Sequence, residues 1–323
     1  MAYSDCLRDL FGRFWQYRRE TFGDADYFDR QPSAAQKRPP VFKPGYVDKN
    51  ILLRPGGSRA EHAAVLLSLA RRKRHRHFGS MRSSQALAQS VFGNLKVSNE
   101  LDCLLDLQDG NGQNLFFTAD SSACSLEHEL DYLGESDRAQ TSVDVMFVQG
   151  YRVAVECKLT EDDVGCCSRP DLKTDDPQYL TDFCNGTYTF QMNRPERCAL
   201  TSKGIRYWEF VSQLTSWPAD LDQSPCPLHR TYQILRSLLA ACVRPTPEPT
   251  LDRTNGHAVL VFDERNPAFQ PGGKGHSAFV ATRRNLKDPT RLRECSWQQI
   301  VTAMRKNGRL NWLTESLHLK YGL

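Results

Sequence analysis

The sequence predicts an α/β fold: a mixed central β-sheet flanked by helices, with a helical arm ahead of it and a helical pair after it. Three observations carry this. β-Branched and aromatic residues alternate on both sides of Gly150 between Thr141 and Leu159, the pattern of a β-hairpin. His257 to Glu264 is a nearly continuous apolar run, as expected of a central strand buried on both faces. Apolar residues recur at helical spacing over 3–22, 205–217 and 229–243. The organisation expected is an N-terminal helix and extended arm over 1–57 and a core over 58–265 with a loop insertion at 160–203. A C-terminal helical extension of the same domain follows over 266–323.

Taken in order, Tyr3 to Phe22 places Leu7, Leu10, Phe11, Phe14 and Trp15 on one helical stripe. From Gly23 to Gly57, Pro and Gly recur without a sustained period, which predicts an extended arm. Ser58 is a plausible N-cap for a helix from Arg59 to about Arg71, and Ser83 for one from Ser84 to Phe92, ended by Gly93 and Asn94. Asn99 to Leu107 reads as helical, Asp109 to Gly112 as a turn, and Ser125 to Leu130 as a strand with Glu127 and Glu129 on one face. Glu135 follows in the loop leading to the hairpin. The aromatic stripe Tyr207, Trp208 and Phe210 and the Tyr232, Ile234, Leu235, Leu238 and Leu239 face are read as core. Residues 266–274 form a Pro/Gly loop whose Gly272 to Gly275 lacks phosphate-loop spacing, so no nucleotide site is expected. Helices close the chain at Ser296–Lys306 and Leu310–Leu319, with Ser296 as cap and Gly308 between them.

The chain has 323 residues, 40% hydrophobic and 25% charged, enough to bury one large core or two small ones. A formal charge of +4 and a pI of about 8.5 permit a polyanionic partner without demanding one. The longest apolar run, Ala63 to Ala70, is too short for a bilayer, so no membrane partner is expected. The N-terminus carries Asp5 and Asp9 and no hydrophobic signal segment, and the expected location is cytoplasmic. Eleven cysteines, an odd count, suit reduced thiols better than a disulfide framework.

The hairpin carries the chemistry. A two-residue loop at Gln149-Gly150 would set Asp144 against Val155 and mix a carboxylate into the apolar face. A three-residue loop, Gln149 to Tyr151, pairs Val143 with Cys157, Val145 with Val155 and Phe147 with Val153, leaving one face apolar. That register brings Asp144, Glu156 and Lys158 to one patch. Two carboxylates facing each other across a sheet repel, and a divalent cation offsets that. Hard oxygen ligands suit Mg²⁺, or Mn²⁺ in its place. Lys158 is placed to orient an attacking water or neutralise developing charge.

Asp144 followed by Glu156-Cys157-Lys158 on a hairpin resembles the PD-(D/E)XK nuclease superfamily, the fold of many restriction endonucleases. Ser83 to Leu87 opening a helix, Leu126-Glu127, Leu133 to Glu135 and Tyr207-Trp208 resemble one branch of bacterial restriction-endonuclease-like proteins within it; together these span most of 82–263. Val143 stands where the superfamily usually has Pro. The resemblance implies a restriction-endonuclease-like sheet and a Mg²⁺-dependent phosphodiester hydrolase acting on nucleic acid, DNA before RNA. It implies a metal held by Asp144, Glu156 and the Cys157 carbonyl, with Lys158 activating the water. It also implies a third upstream acid, which is Glu127 or its neighbour Glu129, and a flanking helix that offers Gln85. Gln233 and Arg236, on the helix after the ExK strand, would reach the site and nucleic acid; their alternative is an exposed helix face. The alternative function is a non-catalytic nucleic-acid- or protein-binding module on the same fold. The oligomeric state stays open, a dimer included.

Two further features remain. Arg71, Arg72, Lys73, Arg74, Arg76 and Arg82 form an acid-free run, read equally as a solvated face or as a phosphate track. Cys166, Cys167, Cys184 and Cys198 fall in the 160–203 insertion. Zn²⁺ at Cys166, Cys184 and Cys198 is the less favoured reading, because no C-x2-C knuckle is present and adjacent cysteines seldom ligate one ion.

Overall fold

The computed structural model describes residues 2–29, 37–135, 141–191 and 194–323. Residues 30–36 of the predicted arm, 136–140 ahead of the hairpin and 192–193 of the insertion lie outside these described residues.

The sheet is built from β1 (Cys124–Leu130), β2 (Thr141–Gln149), β3 (Tyr151–Cys157), β6 (His257–Phe262) and β7 (Leu292–Ser296); β4 (Val243–Arg244) and β5 (Thr250–Leu251) make a separate short ribbon. Its order is β1-β2-β3-β6-β7. The first three strands run antiparallel, and β6 and β7 add in parallel, so the predicted α/β fold with a mixed sheet is what forms. In the hairpin Val145 faces Val155 and Phe147 faces Val153, the register that the alternation demands. The turn is tighter than a three-residue loop: Gln149 and Tyr151 pair, and only Gly150, at φ 71°, stands between them.

One expected pair differs. Val145 joins the cluster on one face of the sheet, with Phe147, Val155 and Cys157, but Val143 joins the cluster on the other. β1 inverts at the same level, since Leu126 belongs to the first cluster and Leu130 to the second. The cause lies between them. Glu127 holds φ 47°, a left-handed conformation rare for a residue with a β-carbon. That residue breaks the pleat, and neither Glu127 nor Asp144 pairs in the ladder, although the residues on both sides do.

Helices cover both faces. On one lie α1 (Tyr3–Phe22), α2 (Arg59–Leu67), α3 (Ser84–Ala88) and α4 (Asn94–Val97), with the C-terminal pair α9 (Trp297–Asn307) and α10 (Asn311–Tyr321). Their shared core includes Phe14, Phe92, Phe147, Trp297 and Tyr321. The other face carries α6 (Tyr207–Leu214), α7 (Tyr232–Cys242) and α8 (Lys274–Asn285), around Trp208, Leu235 and Phe279. A single turn, α5 (Tyr179–Asp182), lies in the insertion. No helix among the described residues is long and apolar enough to cross a membrane.

The predicted caps form. Ser58 Oγ accepts from the Glu61 N–H, Ser83 Oγ from the Ala86 N–H, and Ser296 makes a reciprocal capping box with Gln299. Several limits move. α2 stops at Leu67, and Arg71–Lys73 is a separate 3-10 turn. Of 99–107 only Leu101–Leu104 is helical, as a 3-10 helix. Gly93 does not end its helix: the chain passes from α3 through a π-turn, Gln89–Gly93, into α4. A β-carbon on Gly93 would stand 2.8 Å from Ser68 Oγ, so the glycine serves close approach to α2. Gln89, drawn inward by the π-turn, donates to the carbonyls of Val65 and Leu66 at the end of α2 (2.9 and 3.1 Å).

The C-terminal extension departs from the helical one expected. It supplies β7 and, with α8, a helix over residues read as loop and connection. α8 buries little beyond Gly275, Phe279 and Thr282, too sparse a stripe to stand out, and β7 reads Leu-Arg-Glu-Cys-Ser, with three polar residues in five.

Candidate active site

The sheet register aligns three carboxylates. Leu126 faces Val145 and His128 faces Val143, which sets Glu127 beside Asp144; Val145 faces Val155, which sets Asp144 beside Glu156. The acids thus form a row across β1, β2 and β3 at the level where the pleat inverts. They open onto a polar cleft of about 500 Å³ that Lys73, Gln85, Lys158, Gln233 and Arg236 also line.

Each acid is held by particular donors. Asp144 Oδ2 accepts from the Cys157 N–H at 2.6 Å, taking a backbone donor where the β2–β3 ladder has ended. The Cys157 side chain is buried in the core of the opposite face, so its backbone is what meets the acid row. Glu127 accepts from Gln85 Nε2 at 2.6 Å and from the Ser142 hydroxyl. Glu156 accepts from Lys158 Nζ at 3.0 Å, from Ser237 Oγ at 3.1 Å and from Arg236 Nη2 at 3.4 Å. Lys158 Nζ donates in addition to Gln233 Oε1 at 2.5 Å. At its backbone, Lys158 is fixed by a bond from its N–H to Val261 O (2.7 Å) and by the Trp297 indole N–H on its carbonyl (2.9 Å). Gly165, at φ 96°, leaves room for the Gln233 amide, which a β-carbon there would strike at 2.0 Å.

The charges follow from these contacts. Burial works to raise the Glu156 carboxyl, but the Lys158 ammonium and Arg236 guanidinium outweigh it and hold that acid below its usual range. Burial would lower Lys158, yet Glu156, Glu161 and Asp144 raise it above the ordinary lysine range, so it stays an ammonium. Asp144 is pushed well above the carboxylate range, by burial first and then by Glu156 and Glu127. Glu127 is raised chiefly by burial. Lys158 and Arg236 both pair with Glu156, and the two acids without an ion pair in the row, Asp144 and Glu127, are the ones raised.

Of the residues expected from the sequence, Glu127, Asp144, the Cys157 backbone, Glu156, Lys158, Gln85, Gln233 and Arg236 meet at this cleft. Between the two upstream acids the geometry separates the roles: Glu127 enters the row, while Glu129 pairs with Arg72 and Lys73 (3.1 and 3.2 Å). The basic run is largely occupied. Arg71 and Arg74 pair with Asp48, Arg72 and Lys73 with Glu129, and Lys73 Nζ donates to Glu127 O at 2.9 Å. Arg76 and Arg82 are exposed and form no ion pair among the described residues. Ser142, Ser237 and Glu161 also belong to the cleft or its hydrogen bonds and were not anticipated. Ser237 was within reach of pattern reasoning, since Gln233, Arg236 and Ser237 lie at i, i+3 and i+4 on one helical face. In the arrangement described, no three His, Cys, Asp or Glu side chains among the described residues converge to hold a metal ion.

The family described as "Restriction Endonuclease associating with ARP" matches residues 25–322, nearly the whole chain. The chain belongs to that family. No curated protein and no solved structure matches it. A member of this restriction-endonuclease-associated family thus carries a row of three acids and an ammonium across adjacent strands of a mixed α/β sheet, a site consistent with a nuclease-like role.

Proposed function

We propose that this chain is a metal-dependent nuclease of the PD-(D/E)XK type that hydrolyses phosphodiester bonds in DNA. The observation that carries the reading is the alignment of Glu127, Asp144 and Glu156 with the Lys158 ammonium beside them. The fit of a hard divalent cation rests on the donor set and its charge. The donors are carboxylate and carbonyl oxygens, and burial together with Glu156 and Glu127 makes Asp144 difficult to ionise unless a positive charge is brought in. Asp144, Glu156 and the Cys157 carbonyl would hold Mg²⁺ or Mn²⁺, with Glu127 as the adjoining acid. Bound there, the ion supplies an acidified water and a brace for a phosphoryl oxygen.

The protein's own groups do the remainder. Lys158, kept protonated and aimed by Glu156 and Gln233, stabilises negative charge that builds on the phosphoryl group rather than acting as a base. Arg236 and Ser237 hold Glu156 in place. Arg76 and Arg82, exposed on the basic run, are the side chains best placed to meet phosphates. The action is assigned to the cytoplasm.

The binding-module reading draws on one observation: Glu156 is already paired with Lys158 and Arg236. A nuclease assay on supercoiled plasmid and single-stranded DNA, across Mg²⁺, Mn²⁺ and chelator, decides between them. Cleavage that requires the divalent ion and falls by at least ~100-fold in Lys158→Ala supports the nuclease. DNA binding without cleavage in any metal supports the module. Cleavage by Lys158→Ala at the wild-type rate defeats the assignment.

A further inference from the structure

The 160–203 insertion has little regular structure of its own: its described residues form only Arg169–Asp171, α5 and Thr201–Lys203. A stretch of this length without elements is uncommon in a compact domain and needs another means of fixation. Four cysteines from the insertion and the segment after it supply one. Cys184, Cys198 and Cys226 are buried and Cys167 is half-buried.

Backbone hydrogen bonds gather the segments that carry them. The Cys167 N–H donates to His229 O at 2.8 Å, the His229 N–H to Cys226 O at 3.0 Å, and the Cys226 N–H to Gly186 O at 2.8 Å, two residues after Cys184. Cys226 lies within electrostatic reach of Cys198, Cys184 and Cys167, and Cys167 within reach of Cys198 and Cys184. Two of the sulfurs also accept backbone N–H groups two residues on, from Arg169 to Cys167 and from Leu228 to Cys226. Burial raises both thiols, to about 11 at Cys167 and about 12 at Cys226, and these donors act against it, favouring the thiolate that ligates metal. Tyr188, stacked on Trp208 with ring centroids 3.8 Å apart, joins this region to the core beneath α7.

We propose that Cys167, Cys184, Cys198 and Cys226 form a structural zinc site that clamps the insertion to the segment leading into α7. Four soft thiolates select Zn²⁺ and close a tetrahedral shell that leaves no position for substrate. Each thiol releases a proton to solvent as it ligates. The sulfurs do not converge at ligand distance in the arrangement described, so the loops close further onto the ion. The site differs from the one weighed from spacing alone. Cys166 drops out, its thiol donating to Asp163 Oδ2 at 3.2 Å, and Cys226, from beyond the insertion, takes its place. The clamp brackets a wall of the acid cleft: Gly165 O accepts from the Gln233 N–H at 3.2 Å, two residues before Cys167 and seven after Cys226.

Elemental analysis of the full chain, purified without added metal, tests this without reference to nuclease activity. About one zinc per chain is expected, released by a thiol-modifying mercurial. Cobalt-substituted protein is expected to show sulfur-to-cobalt charge transfer and tetrahedral d–d bands. Cys198→Ser and Cys226→Ser should each lower zinc content ~10-fold or more, while Cys103→Ser retains it. The wild-type zinc content and cobalt spectrum stand even where a serine variant fails to fold. A zinc-free chain with a featureless cobalt spectrum overturns the proposal. So does mass spectrometry showing these four cysteines joined as disulfides in the native protein.

Discussion

Lys158 and Lys320 show how one residue type takes opposite charge states under burial. Lys158 has Glu156 at 3.0 Å and stays protonated. Lys320 is fully buried with no acid beside it; its ammonium donates to Asn50 O and to Asn50 Oδ1 (2.7 Å), and burial pulls it down to about 7. In the unfolded chain a lysine titrates near ~10.4. Between about pH 7 and that value the unfolded chain therefore binds a proton that the folded protein lacks, so stability rises with pH through the window. Relative to Lys320→Met, the wild type is expected to gain on the order of 1.4 kcal/mol per pH unit from pH 7 to 9 in urea unfolding. Parallel pH curves for the two proteins would refute this. The pairing of Lys158 with an acid was legible from its spacing to Glu156, whereas the isolation of Lys320 was not: nothing in the sequence near it says that Asn50, 270 residues away, will be its partner. The choice of Glu127 over Glu129 was equally hidden, because it depends on a backbone φ of 47° that no alternation pattern encodes.

Among the elements, the hairpin was the most legible, since a period of two and a buried face admit only one register. The helix at 84–97 was half legible. Its Ser83 cap was visible, but Gly93 has the appearance of a stop signal and serves instead as a contact with α2. Gly93→Ala puts a β-carbon 2.8 Å from Ser68 Oγ. It is expected to destabilise by about 1–3 kcal/mol in urea unfolding, through forced separation of the two helices. An ordinary helical glycine would instead be stabilised by alanine, by ~0.5–1 kcal/mol, so the sign of the change separates the two accounts. α8 and β7 are not legible in the sequence because their faces are too polar for periodicity to register, and tertiary contacts decide them. Gly275, for example, abuts the Phe269 ring.

At the scale of the whole molecule, the strand order joins parts of the chain that local pattern cannot relate. β3 pairs with β6 a hundred residues on, and β7 completes the sheet from the C-terminal segment. α7 then crosses the back of β3 and delivers Gln233 to the Lys158 ammonium and Arg236 and Ser237 to Glu156. The hairpin acids were legible because they lie on adjacent strands; the donors that hold them were legible only in part, because a crossover sets their approach. The proposed consequence of this assembly is a cation site, and Mn²⁺ binding followed by electron paramagnetic resonance tests it most directly. The account predicts that the wild-type protein immobilises Mn²⁺ and that Asp144→Asn and Glu156→Gln each weaken binding ~10-fold or more. Wild-type protein that leaves Mn²⁺ free in solution, or variants that bind it as tightly as the wild type, would contradict it.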